Sequence, residues 1–230
     1  MHYLYLLLNL GSLSVPFIFS FHPKLKFYKH WKGLAIGTLI GLLVFIPWDV
    51  FFTLNNYWGF NPKYYLGITL FGLPIEEWLF FLCIPYACVF THYALLYYFP
   101  NLKLKAGVTK LIGYLLIFIF FIITIYNFDK WYTSVNFGLA TILTILVVNK
   151  DYDILQSYLI TFLVMLIPFF IVNGFLTGSF IPQEVVWYDN TENLGIRMFT
   201  IPVEDSIYAF SLILLNLLVI KKVENKKKTT

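Results

Sequence analysis

Leu66-Gly67-Ile68 followed by Pro74-Ile75-Glu76-Glu77 ends a loop and opens a long apolar run, and the same pattern returns later in the chain. The second copy is Leu194-Gly195-Ile196 followed by Pro202-Val203-Glu204-Asp205. Leu79-Phe80 comes after the first pair of acids and Ile207-Tyr208 after the second. From 66 to 194 and from 74 to 202 the displacement is the same 128 residues. Chance matching of apolar residues would not hold one spacing over so many positions, so the chain reads as an internal duplication.

Composition sets the solvent. Of the 230 residues 60% are hydrophobic and 12% charged, about half the 25% charged residues usual in soluble domains, and the mean hydropathy is +0.76. Continuous apolar runs near the ~20 residues needed to cross hydrocarbon lie at about 3–21, 33–52, 77–98, 111–126, 131–148, 158–176 and 206–220. They do not alternate with period two, so they predict helices rather than barrel strands. The first has no basic residue before it and no small-residue cleavage pattern after it, unlike a secretory signal.

Lysine placement predicts orientation. Lys24, Lys26, Lys29 and Lys32, then Lys103, Lys105 and Lys110, then Lys150, then Lys221, Lys222, Lys226, Lys227 and Lys228 all fall on one side of a seven-span arrangement. Only Lys63, Lys130 and Arg197 fall on the other. The positive-inside rule then places the N-terminus outside and the C-terminus in the cytoplasm of an inner (plasma) membrane. The net charge of +4 is thus a topology signal, and it makes no case for nucleic-acid binding.

Shifting the chain by 128 residues lays the first span on the fifth and the third on the seventh, leaving the fourth without a counterpart. Three spans per copy would invert the second copy, and one connecting helix restores its direction. The expected architecture is therefore an all-α integral membrane protein of seven transmembrane helices. A single membrane domain, 1–220, would contain two parallel repeats, 1–100 and 131–220, joined by a connecting helix in 101–130. A disordered basic tail, 221–230, would follow. Both acidic tetrads then lie on the non-cytoplasmic side and can share one site.

Proline tolerates a first helical turn, and acids there meet the positive end of the helix dipole, so plain capping is one reading of the tetrads. A cap needs one acceptor, however, whereas these are adjacent carboxylates about 100° apart around the axis, twice. Acids near hydrocarbon are costly and point to function. Glu76, Glu77, Glu204 and Asp205 are accordingly candidate catalytic residues, with Asp49 of Pro47-Trp48-Asp49 as a fifth. The plain alternative for Asp49 is an interfacial residue or a partner of Lys63.

Phe, Tyr and Trp make up 21% of the chain. Some form interfacial belts, but Trp48, Trp78, Phe80 and Tyr208 stand beside the acids, where ring faces can stabilise a cation. With Pro74 and Pro202 they are candidate substrate-binding residues. Pro47, Pro85 and Pro168 within spans would bend helices and open space. Cys83 and Cys88 read as packing residues. The histidines are scattered, no ligand cluster for a metal stands out, no nucleotide-binding glycine motif is present, and the last span lacks the lysine of a retinal protein. The expectation is no metal and no cofactor.

The two tetrads in their context, the Trp48-Asp49 pair, and Val186-Trp187-Tyr188-Asp189 ahead of Leu194-Gly195-Ile196-Arg197 resemble the integral-membrane lycopene cyclases of carotenoid-producing bacteria, archaea and fungi. The resemblance covers nearly the whole chain, without the phytoene synthase domain of the fungal fusions. It implies an isomerase that cyclises the acyclic ψ-ends of lycopene to β-rings, the γ-carotene and β-carotene type of product, with ε-rings as the alternative. Protonation of C1=C2, closure by C5=C6 and loss of a proton require no electron transfer. A neutral carboxylic acid can donate the proton and an ionised neighbour can receive the last one. The resemblance also implies lycopene and related carotenoids as partners, taken from the bilayer, and contact with other enzymes of the pathway. On this view amide substitution of Glu77 or Glu204 removes most cyclisation. A proton-coupled or carotenoid-handling transporter is the competing class.

Overall fold

The computed structural model describes residues 2–228. Seven α-helices occupy the apolar runs: α1 (Leu4–Phe19), α2 (Trp31–Leu54), α3 (Ile75–Tyr98), α4 (Ala106–Tyr126), α5 (Trp131–Lys150), α6 (Tyr152–Leu176) and α7 (Val203–Lys228). Among the described residues, α2 to α7 are long and apolar enough to cross a membrane, whereas α1, at 16 residues, is shorter. The start of the expected tail is helical, because α7 runs on to Lys228; residues 229 and 230 lie outside the described residues. Its first lysine has a reason to be ordered: Lys221 pairs with Asp151 at 2.8 Å and also with Asp153. Nearby, His30 meets Glu224.

Helices in lipid associate through close packing of small residues rather than by hydrophobic driving force. Gly33, Gly37 and Gly41, at four-residue spacing on α2, face Ile220, Asn216 and Leu212 of α7. A Cβ at Gly37 would stand 2.7 Å from the Asn216 side chain. The bundle otherwise pairs α1 with α3, α5 with α7 and α4 with α5. Rows of Leu, Ile and Phe on α1 and α4 remain exposed on the outside, as a lipid-facing surface requires.

At the end of the bundle holding the acids, short strands add to the helices. Hairpin β2–β3 (Thr69–Leu70 and Leu73–Pro74) leads into α3, and hairpin β5–β6 (Arg197–Met198 and Ile201–Pro202) leads into α7. Phe71 and Phe199, at equivalent hairpin tips, both have positive φ, 55° and 59°. The first loop continues with Gly72 at φ 83°, and such left-handed residues suit the twist of a two-residue hairpin. β1 (Trp58–Phe60) pairs antiparallel with β4 (Val186–Tyr188), setting Trp58 opposite Tyr188, Gly59 opposite Trp187 and Phe60 opposite Val186. Glycine at 59 leaves room for the Trp187 ring, since a Cβ there would lie 2.4 Å from it.

Candidate functional site

The hydrogen bonds around the two tetrads recur. The N–H of Leu66 donates to Oε1 of Glu76, and the N–H of Leu194 to Oε1 of Glu204, each at 2.8 Å. Asn9 of α1 donates to the Glu76 carbonyl (2.8 Å) and Asn136 of α5 to the Glu204 carbonyl (2.6 Å). Tyr5 of α1 donates its hydroxyl to Glu77, and Tyr132 of α5 donates to Asp205 at 2.6 Å. Between the two first helices the displacement is 127 rather than 128.

Adjacent positions on a helix point about 100° apart, and the two acids of each tetrad accordingly do different things. Glu76 and Glu204 are fully buried and fold back on their own hairpins, with Thr133 adding a 2.7 Å bond to Glu204. They pin the loop that precedes the helix, and each leaves Oε2 without a hydrogen-bond partner among the described residues. Glu77 and Asp205 turn the other way, into a cavity of about 240 Å³.

This cavity lies among α1, α3, α6 and α7 beneath the β1–β4 ribbon. Its wall at the acid end is aromatic, formed by Tyr5, Trp58, Phe60, Tyr132, Tyr188 and Tyr208. The Tyr132 and Tyr188 rings stack at 5.8 Å, and Trp58 meets Tyr132 edge-on at 5.1 Å. Down α3 the lining runs from Glu77 past Phe80, Ile84 and Cys88 to Thr91, about 20 Å at 1.5 Å per residue. Opposite it stand Phe162, Met165, Pro168 and Phe169 of α6. α1 and α6 both pack on α3 and barely on each other.

Asp205 receives a second hydroxyl, from Tyr188 at 3.0 Å. Tyr188 belongs to β4, outside the spans, and burial together with the nearby Asp205 carboxylate pushes its phenol well above the usual value, which keeps it a donor. The Arg197 guanidinium lies 5.6 Å above the Tyr188 ring and is anchored by Thr200 and Asn190. Asp49 is 1% exposed and accepts the Tyr208 hydroxyl. Lys63 goes to Gln183 instead, so the pairing of Asp49 with Lys63 does not occur.

Of the residues singled out from sequence, Glu77, Asp205, Phe80 and Tyr208 line the cavity. Asp49 stands behind Tyr208, one residue removed. Trp48 packs among Phe45, Phe52 and Tyr208, and Trp78 turns outward to Phe71 and the Leu70 carbonyl. Pro74 and Pro202 are buried as the last strand residues before α3 and α7. Tyr5 and Tyr132 carry no mark in the repeated pattern, and Tyr188 enters the sequence reading only within Val186-Trp187-Tyr188-Asp189. A signal for the first two exists: Tyr5 and Asn9, like Tyr132 and Asn136, are spaced i, i+4 in otherwise apolar runs, on one helix face.

A family model described as lycopene cyclase matches residues 2–95 and 129–223. The chain belongs to the lycopene cyclase family. Two fungal relatives, both bifunctional lycopene cyclase/phytoene synthases, match over short stretches. The protein of Podospora anserina is 40% identical over 55 residues, 23% of this chain and 9% of the relative. That of Aspergillus oryzae is 32% identical over 56 residues, 24% of this chain and 10% of the relative. The matched stretch thus spans about a tenth of the length of these curated cyclase relatives. No solved structure matches. The members of this family that the names describe act in carotenoid biosynthesis, and the apolar helices of this chain are of membrane type.

Proposed function

We propose that the chain is a lycopene cyclase that converts ψ-ends to β-rings by proton transfer alone, with Glu77 and Asp205 as its reacting carboxylates. The observation that carries this reading is their convergence, from two separate hairpin–helix junctions, on one apolar cavity with an aromatic wall. One carboxylic acid protonates C2 of the C1=C2 bond. The π electrons of C5=C6 then close the C1–C6 bond, leaving a cation at C5 that the rings of Trp58, Tyr132 and Tyr188 face. Loss of the C6 proton to the second carboxylate restores a C5=C6 double bond. Exclusion of water by the apolar walls keeps the cation from capture as an alcohol. The 20 Å lining below the acids suits a polyene, and the sparse contact between α1 and α6 suits lateral entry from lipid.

The architecture proposed with it is seven spans, two parallel repeats and α4 as the connecting helix, with the acid end non-cytoplasmic. The recurring hydrogen bonds support this, as does the family match, which leaves residues 96–128 aside. The β1–β4 register supports it too: its partners pair symmetrically about Gly59 and Trp187, which stand 128 apart, as a two-fold axis between the repeats would require. Purified protein in lipid vesicles supplied with lycopene tests the activity by chromatography against β-carotene, γ-carotene and ε-ring standards. Unchanged lycopene would refute the reading, and an ε-ring product would correct the ring type.

A further inference from the structure

The two carboxylates in the cavity occupy equivalent positions in the duplicated pattern, yet the groups that donate to them differ. Both oxygens of Asp205 are occupied by hydroxyl donors, Oδ1 by Tyr132 and Oδ2 by Tyr188. Arg197 rests on the Tyr188 ring. Glu77 receives one hydroxyl, from Tyr5, on Oε2. No donor among the described residues meets its Oε1, and Glu77 is partly exposed toward the cavity. Counting back 128 residues explains the asymmetry: Tyr188 falls on Phe60, which has no hydroxyl, and Arg197 falls on Thr69, which has no charge. The groups that favour an ionised carboxylate were supplied to one copy of the site and not to the other.

Resting on the cyclase reading, we propose that Glu77 is the proton donor and Asp205 the ionised partner that stabilises the ring cation and takes the final proton, the division being imposed by Tyr188 and Arg197 as positioning residues. In the forward step the Glu77 O–H proton moves to C2, leaving a carboxylate. The C5=C6 pair closes the ring, and the C6–H pair becomes the new double bond as its proton passes to Asp205. The substrate is isomerised, and one proton has crossed from Glu77 to Asp205.

The two half-reactions can be separated in heavy water. With Asp205→Asn, Glu77 still delivers a deuteron to C2, but the cation has no base at C6. The ring reopens as the C1–C6 pair returns to C5=C6, and the C1 cation then loses H or D from C2 to Glu77. Ring formation then falls about 10²-fold or more, and lycopene recovered from the vesicles carries deuterium by mass spectrometry. Glu77→Gln yields neither ring nor label. Tyr188→Phe, the milder change, slows ring formation and gives partial label in the recovered lycopene. Label with Glu77→Gln and none with Asp205→Asn would reverse the assignment. Label with both variants, or with neither while both remain folded in the vesicle, would overturn it. A wild-type chain that leaves lycopene unchanged would overturn the cyclase reading itself.

Discussion

The hydroxyl of Tyr208 lies 3.2 Å from each carboxylate oxygen of Asp49, joining α7 to α2 across 159 residues of chain. A donor shared between both oxygens holds the phenol at a fixed point of the cavity wall, and it satisfies an acid that has almost no access to solvent.

Tyr208→Phe should therefore cost about 1–3 kcal/mol, because it leaves Asp49 buried without its donor. Asp49→Asn keeps an acceptor for the hydroxyl and should lower turnover more than stability. Melting temperatures and turnover of the single and double variants, read as a double-mutant cycle, check the coupling. Additive effects would mean that the two residues act apart.

Glu77 and Glu204 should respond differently to substitution. Glu77→Gln should lose about 10²- to 10⁴-fold in rate while the protein stays folded, since the amide cannot carry the proton. Glu204→Ala should instead cost about 1–3 kcal/mol, by freeing the Leu194 N–H and the Thr133 hydroxyl, and Glu204→Gln should retain most turnover. Turnover and thermal stability of the same purified variants distinguish the two roles.

How much of this was legible in the chain follows from what each residue type can signal. Seven helices and two equivalent acidic junctions are readable, because apolar length, proline and paired acids are all one-dimensional marks. Which acid of a pair faces inward is not. It depends on helix rotation about the axis, and the step from Glu76 to Glu77 to Trp78 sends three neighbours to the hairpin, the cavity and the outer face. The tyrosines were hidden for another reason. In a chain so rich in aromatics, Tyr5 and Tyr132 look like interfacial residues, and their displacement of 127 breaks the spacing that revealed the acids. The glycines at 33, 37 and 41 acquire meaning only once α7 is seen against them.

Gly59→Val should disrupt the ribbon over the site. With its Cβ 2.4 Å from the Trp187 ring, the substitution has to displace that ring and should cost about 1–3 kcal/mol as overpacking. Removing the ring in the same chain, as Gly59→Val with Trp187→Ala, should recover part of the loss. Thermal unfolding in detergent provides the comparison.

Cys88 offers a probe of occupancy that does not depend on turnover. It lines the cavity about three helical turns from Glu77, whereas Cys83 is buried in the core. A lipophilic thiol reagent should modify Cys88 first, and lycopene should slow that modification. Cys88→Phe should reduce substrate binding with little change in melting temperature.

The pairing of Gly59 with Trp187 has a historical consequence. A seam that relates position n to itself is self-complementary, so in an ancestor built from two identical chains the same residue would have met its own copy across the axis. Two glycines there leave a hole, and two tryptophans collide. Only where the two copies are coded separately can one side become the smallest residue and the other the largest. The same freedom separates Phe60 from Tyr188, so on the proposed repeat the two carboxylates need not share one chemistry.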